Sequence, residues 1–165
     1  PVVQGEDNAF YIDKDWQKNP SSSGSIFEDF RGKIGKTENT LFYGHNMASG
    51  AMFAAIRSFQ SEEFGKAHPY FEVASLDKRY LYRIVACSVL NGETGAKFEY
   101  WNQITLNKTE FEKYIKDIRE TAMVWYAPEN DPPAFGDKMI ALQTCNSGAD
   151  DGIRCVLFAQ CLGEY

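Results

Sequence analysis

The sequence predicts a mainly β fold: a closed or nearly closed barrel with peripheral helices, one of them long and inserted before the final β-hairpin. Three observations predict it. Aromatic residues make up 15% of the 165 residues, and they stand in short runs between Gly, Asn and Asp clusters, as in chains of many short strands. A long amphipathic helical stripe occurs once, late in the chain. Six or more strands leave edges that must be managed, and closure manages them.

Taken in order, the apolar start at Pro1-Val2-Val3 reads as a strand entered midway. Strands are then predicted over 24–29, 40–45, 70–74, 79–90, 138–144 and 153–162, with Leu76-Asp77-Lys78 turning a hairpin between the third and fourth. Residues 51–59 carry Met52, Phe53, Ile56 and Phe59 at helical spacing. The clearer helix is 110–121, where Thr109 and Glu112 fit a capping box. There Phe111, Tyr114, Ile115 and Ile118 form one apolar stripe opposite Lys, Asp and Glu. His68 precedes Pro69 and reads as a helix stop. Residues 19–24 and 128–133 read as loops.

Length and composition bound the function. At 165 residues the chain is expected to be a single domain. No apolar run approaches the ~18 residues of a membrane helix. The net charge is −6, and the 17 Lys and Arg are scattered. That argues against a nucleic-acid partner, which needs a basic field. Four cysteines form no C-x-x-C pair, and His45 and His68 lie far from them in sequence. A structural zinc site is not expected, and four cysteines are too sparse for a disulfide framework.

The final hairpin carries the chemistry. A strand-like run ends at Cys145, a polar loop follows over 146–152, and Arg154 stands near the start of the return strand. Cross-strand neighbours lie about 5 Å apart at Cβ, so these side chains can meet. A guanidinium there favours thiolate and stabilises a developing oxyanion. Cys87, Cys155 and Cys161 sit in apolar strand runs and read as small packed residues. Cys155 and Cys161, six residues apart on one strand, are too distant to bridge. His45 also stands where a strand gives way to a polar loop. Cys145 as nucleophile, His45 as general acid and base and Arg154 as electrostatic partner make a coherent set.

These residues resemble the sortase signature, a Thr-Leu-x-Thr-Cys run with an Arg on the next strand. Here it stands as Ala141-Leu142-Gln143-Thr144-Cys145, then Arg154. The stretches 2–8, 24–29 and 43–47, with the helix before the final hairpin, make the chain similar to class B sortases over essentially its whole length. Ala141 departs from the usual Thr, and Gln143 from a smaller residue. The resemblance implies a closed barrel of about seven to eight strands. It also implies a catalytic domain trimmed of N-terminal helices and a membrane anchor, working at the extracytoplasmic face of a Gram-positive membrane. It implies a transpeptidase that cleaves an Asn-Pro-x-Thr-x-like signal at Thr through a thioester on Cys145. The partners implied are surface proteins bearing that signal and a peptidoglycan amine, with neither cofactor nor metal. Asn8, Ile12, Tyr43, Tyr100, Trp101, Gln143, Thr144 and Asn146 match substrate-groove positions. Three alternatives stay open: a pilin-polymerising sortase, a cysteine hydrolase using the same residues, and a β-barrel binding module without activity.

Overall fold

The computed structural model describes residues 1–147 and 151–165. The middle of the loop predicted over 146–152 lies outside the described residues. Eight strands form one sheet: β1 (Val2–Gln4), β2 (Ile26–Glu28), β3 (Asn39–Tyr43), β4 (Tyr70–Ala74), β5 (Arg79–Asn91), β6 (Ala122–Trp125), β7 (Met139–Cys145) and β8 (Ile153–Glu164). Their order is β1-β2-β3-β7-β8-β5-β4, with β6 also paired to β5. No β1–β4 ladder is present among the described residues, but side chains of both edge strands line a shared apolar groove.

Both faces of the central strands are covered, as their period of two requires. On β8, Val156 and Phe158 enter one core cluster while Cys155, Leu157 and Ala159 enter the other. On β7, Met139 and Ala141 face the first, and Ile140 and Leu142 the second. A register shift in β5 between Ile84 and Ala86 inserts Val85 as an extra residue against β8. Such a bulge turns the strand, so Val85 and Ala86 join the first cluster and Ile84 and Cys87 the second.

Two helices cover these faces. α2 (Lys108–Thr121) buries Phe111, Tyr114 and Ile118 against the first cluster. Its cap is two residues earlier than the sequence suggested. The Asn107 side chain accepts from Glu110 N at 3.1 Å, and Glu110 accepts from Asn107 N at 2.8 Å. A capping Asn is worth ~1 kcal/mol and outranks the Thr109 alternative. The helix ends directly in β6, an apolar run that β5 captures by pairing Ala86 with Trp125. The segment predicted as a helix over 51–59 is a 3-10 helix at Ala54–Gln60, followed by α1 (Glu62–Ala67). Ser61 caps α1 at its start. His68 closes it, with Nδ1 2.9 Å from Phe64 O and its ring stacked on Phe64. None of the described helices is long and apolar enough to cross a membrane.

Candidate active site

Sheet topology gathers the chemistry at one end. β3 and β7 run parallel, so both finish at the same edge of the sheet. β8 runs antiparallel to β7, so it begins there. The last pair of the β7–β8 ladder is Cys145 opposite Arg154. Tyr43 pairs with Gln143, and Gly44 N donates to Gln143 O at 3.1 Å, which carries the chain on to His45. All three predicted residues line one cleft of about 270 Å³, with Asn8, Ile12, Tyr43, Gln143 and Thr144 also in its wall.

Hydrogen bonds brace the strand ends. Nε2 of His45 lies 2.8 Å from the Ile12 carbonyl oxygen, so the N-terminal loop fixes the imidazole. Gly24 permits that approach: its φ is +54°, and a Cβ there would lie 2.2 Å from the same oxygen. Asn46 Nδ2 donates to the carbonyls of Cys145 at 3.1 Å and Ser147 at 3.3 Å, tying the histidine loop to the cysteine loop. The stem of Arg154 passes Gly92, where a Cβ would meet its Cγ at 2.7 Å.

A second cluster stands behind the wall. Asp29, at the end of β2, is wholly buried yet charged. Burial alone would raise its carboxyl, but the Arg31 guanidinium and backbone N–H, the Tyr43 hydroxyl and the Asn8 amide together hold it below the ordinary carboxylate value. Burial and the Asp29 charge push the Tyr43 phenol in the opposite direction, well above its ordinary value. Thr144 carries a buried hydroxyl with no hydrogen-bond partner among the described residues.

Three expected groove residues are placed differently. Tyr100 is fully buried in the first core cluster and stands behind the cleft wall, where its hydroxyl donates to Gln143 Oε1 at 2.6 Å. Trp101 packs edge-on against Tyr100 at the border of that cluster, and its carbonyl accepts from Arg31. Asn146 turns its side chain away to accept from Gln60 Nε2 at 2.8 Å. In each case a partner inside the fold claims the side chain.

Sequence reasoning gave no individual role to Gly24, Asp29 and Asn46, which stand only within the stretches that carry the resemblance, and passed over Arg31 and Gln60. Asp29 and Arg31 carry a weak signal, opposite charges two residues apart just after a strand. The others become visible only through long-range pairing. Cys87 and Cys155 are buried as expected, whereas Cys161, near the end of β8, is only half-buried. The Cys87 and Cys155 sulfurs approach to 3.7 Å across the sheet, a meeting that sequence spacing did not suggest. All four cysteines are free thiols. Among the described residues, no group of three or more His, Cys, Asp or Glu is placed to hold a metal ion.

No family model matches the chain. It is 31% identical over 151 residues to sortase B of Listeria monocytogenes, a match covering 91% of this chain and 58% of that protein. Against sortase B of Staphylococcus aureus it is 23% identical over 158 residues, covering 95% and 62%. The chain thus spans about three-fifths of the length of these curated relatives. Among solved structures, Clostridium perfringens sortase B superposes with a TM-score of 0.82 at 30% identity, covering 99% of this chain and 86% of that one. A Staphylococcus aureus sortase B–substrate complex gives 0.86 at 21% identity, covering 98% and 73%, which speaks for the fold. By sequence and by fold alike, the chain belongs to the class B sortase family.

Proposed function

We propose that this chain is the catalytic part of a cysteine transpeptidase that cuts a C-terminal sorting signal and passes the acyl group to an amine. The observation that carries the reading is the direct pairing of Cys145 with Arg154 at the end of the β7–β8 ladder, in a cleft that His45 shares. The sulfur of Cys145 attacks the carbonyl carbon of the scissile Thr. Arg154 stabilises the oxyanion that develops. As the C–N bond breaks, protonated His45 gives its proton to the leaving amine, and a thioester remains on Cys145. An incoming amine then attacks the thioester, His45 takes its proton, and the Cys145 sulfur leaves.

The relatives support the choice of substrate class. One solved sortase B is a substrate complex and another is complexed with triglycine. For this chain the reading assigns an Asn-Pro-x-Thr-x-like peptide as donor and a peptidoglycan-type amine as acceptor. The enzyme works at the extracytoplasmic face of the membrane. Incubation with such peptides, with and without triglycine, tests it by product mass. A product joined to the amine supports transfer. Release of the free acid alone, at saturating amine, would make the protein a hydrolase and overturn the proposal.

A further inference from the structure

The Asp29 carboxylate is buried at the hub of a network that reaches three side chains of the cleft wall. Its Oδ1 accepts from the backbone N–H and Nε of Arg31, each at 2.9 Å. Its Oδ2 accepts from Arg31 Nη2, Asn8 Nδ2 and the Tyr43 hydroxyl, each at 2.8 Å. A carboxylate has about four lone-pair sites, so this one is saturated. The backbone holds it still: Asp29 N donates to Leu41 O at 2.8 Å, and Asp29 O accepts from Gly32 N and Gln4 Nε2.

The network sets the direction of each wall group. Asn8 Oδ1 accepts from Phe30 N at 3.0 Å while its Nδ2 serves Asp29, so the amide cannot flip without losing both bonds. Tyr43 gives its only hydroxyl proton to Asp29, so toward the cleft its oxygen can only accept. Arg31 continues outward to the Trp101 carbonyl at 2.7 Å and Asn102 Oδ1 at 3.3 Å. That fastens the 3-10 helix Tyr100–Asn102, whose Tyr100 hydroxyl holds Gln143.

From this arrangement we infer that Asp29 is a positioning residue for peptide recognition. It presents the Asn8 amide as a donor and the Tyr43 oxygen as an acceptor, a pair matched to a peptide amide in the cleft. The inference rests on the proposed function for its substrate and on the geometry above for its mechanism. Asp29 touches neither Cys145 nor His45 in this network, so its effect falls on binding the peptide and not on the thiol.

Asp29→Asn tests it. The amide keeps one oxygen and places an NH₂ against donors, so Asn8 and Tyr43 must turn. KM for the signal peptide should rise about tenfold or more, the scale of one lost charge-assisted hydrogen bond. The maximal rate should change by less than about threefold, and alkylation of Cys145 by iodoacetamide, which needs no groove, should keep its rate. In the double variant with Tyr43→Phe the two KM effects should fall well short of multiplying. Unchanged KM, fully multiplicative effects, or equal losses in KM, rate and alkylation would each overturn the inference. If Asp29→Asn does not fold, Arg31→Lys with Tyr43→Phe decides by the same cycle, since an ammonium cannot reproduce the guanidinium fork. A readout without turnover separates this inference from the proposed function. The Asn8 side-chain amide resonances should move on Asp29→Asn even if no signal peptide is cleaved, and resonances that stay in place would refute the positioning role.

Discussion

Substituting Gly24 by Ala probes how the N-terminal loop holds the His45 imidazole. Two costs combine at this position. The backbone φ of +54° is left-handed, which costs a residue with a side chain about 1–2 kcal/mol. The new Cβ would also lie 2.2 Å from Ile12 O and 2.9 Å from Tyr11 O, closer than nonbonded atoms tolerate. Both are backbone atoms, so a segment must shift and not merely a flexible side chain, at about 1–3 kcal/mol. Together the loss is about 3 kcal/mol, or a fall in Tm of roughly 6–12 °C for a domain of this size. The Ile12 oxygen that must withdraw is the one His45 Nε2 contacts, so turnover should fall beyond what stability explains. Gly50→Ala is the control. Its φ is +83° with nothing within 4 Å, so it carries the left-handed cost alone, about 2–8 °C. Calorimetry and steady-state kinetics on both variants make the comparison. A Gly24→Ala protein no less stable than Gly50→Ala, with unchanged turnover, would show that Gly24 does not hold the Ile12 carbonyl against His45.

Three other outcomes follow from the same geometry. Arg154→Lys should slow thioester formation about 100-fold or more, because a point ammonium replaces a planar fork at the oxyanion; single-turnover rates above a tenth of wild type would show that charge alone suffices. Thr144→Val should raise Tm by about 2–6 °C, since the buried hydroxyl has no partner among the described residues and its removal recovers ~1–1.5 kcal/mol. A lower Tm on calorimetry would show the hydroxyl to be satisfied. Asp29 has a depressed folded-state pKa, so its contribution to stability is present above the unfolded value of about 3.9 and is lost as pH falls through the lower folded value. Urea unfolding should therefore show a gap between wild type and Asp29→Asn that is steady at pH 5–7 and narrows below about pH 4. A gap that widened in acid would reverse the sign.

The parts of the fold that the sequence made legible share one cause, side-chain periodicity. The strand at 70–74 matches β4 residue for residue, and 79–90 and 153–162 fall within two residues of β5 and β8. β4 alternates half-buried and exposed residues over its five positions, and β5 and β8 carry long apolar runs through the core. β6 escaped because it is only four residues and is captured by β5, a long-range event. The helix expected over 51–59 became a 3-10 helix and a short α1, since its apolar residues anchor a connection and not a continuous stripe.

The candidate site divides in the same way. His45, Cys145 and Arg154 were legible because each closes or opens a strand, and parallel pairing then delivers them to one edge. Tyr100 and Trp101 stand at the core and outside the cleft lining, a placement hidden in sequence because an aromatic looks the same whether it lines a groove or fills a core. The place of Asp29 in the site was invisible in sequence, because it comes from burial and from Asn8, Arg31 and Tyr43, which approach it from three segments.

In the proposed function Cys145 takes the acyl group of a sorting peptide. The direct measurement is intact-mass analysis and peptide mapping of the protein quenched in acid after mixing with an Asn-Pro-x-Thr-x peptide, beside Cys145→Ala. The expected result is a mass gain equal to the acyl fragment, mapped to the peptide containing Cys145, absent from the variant and removed by added triglycine. Peptide cleavage by Cys145→Ala at the wild-type rate, or an adduct mapped to Cys87, Cys155 or Cys161, would contradict it.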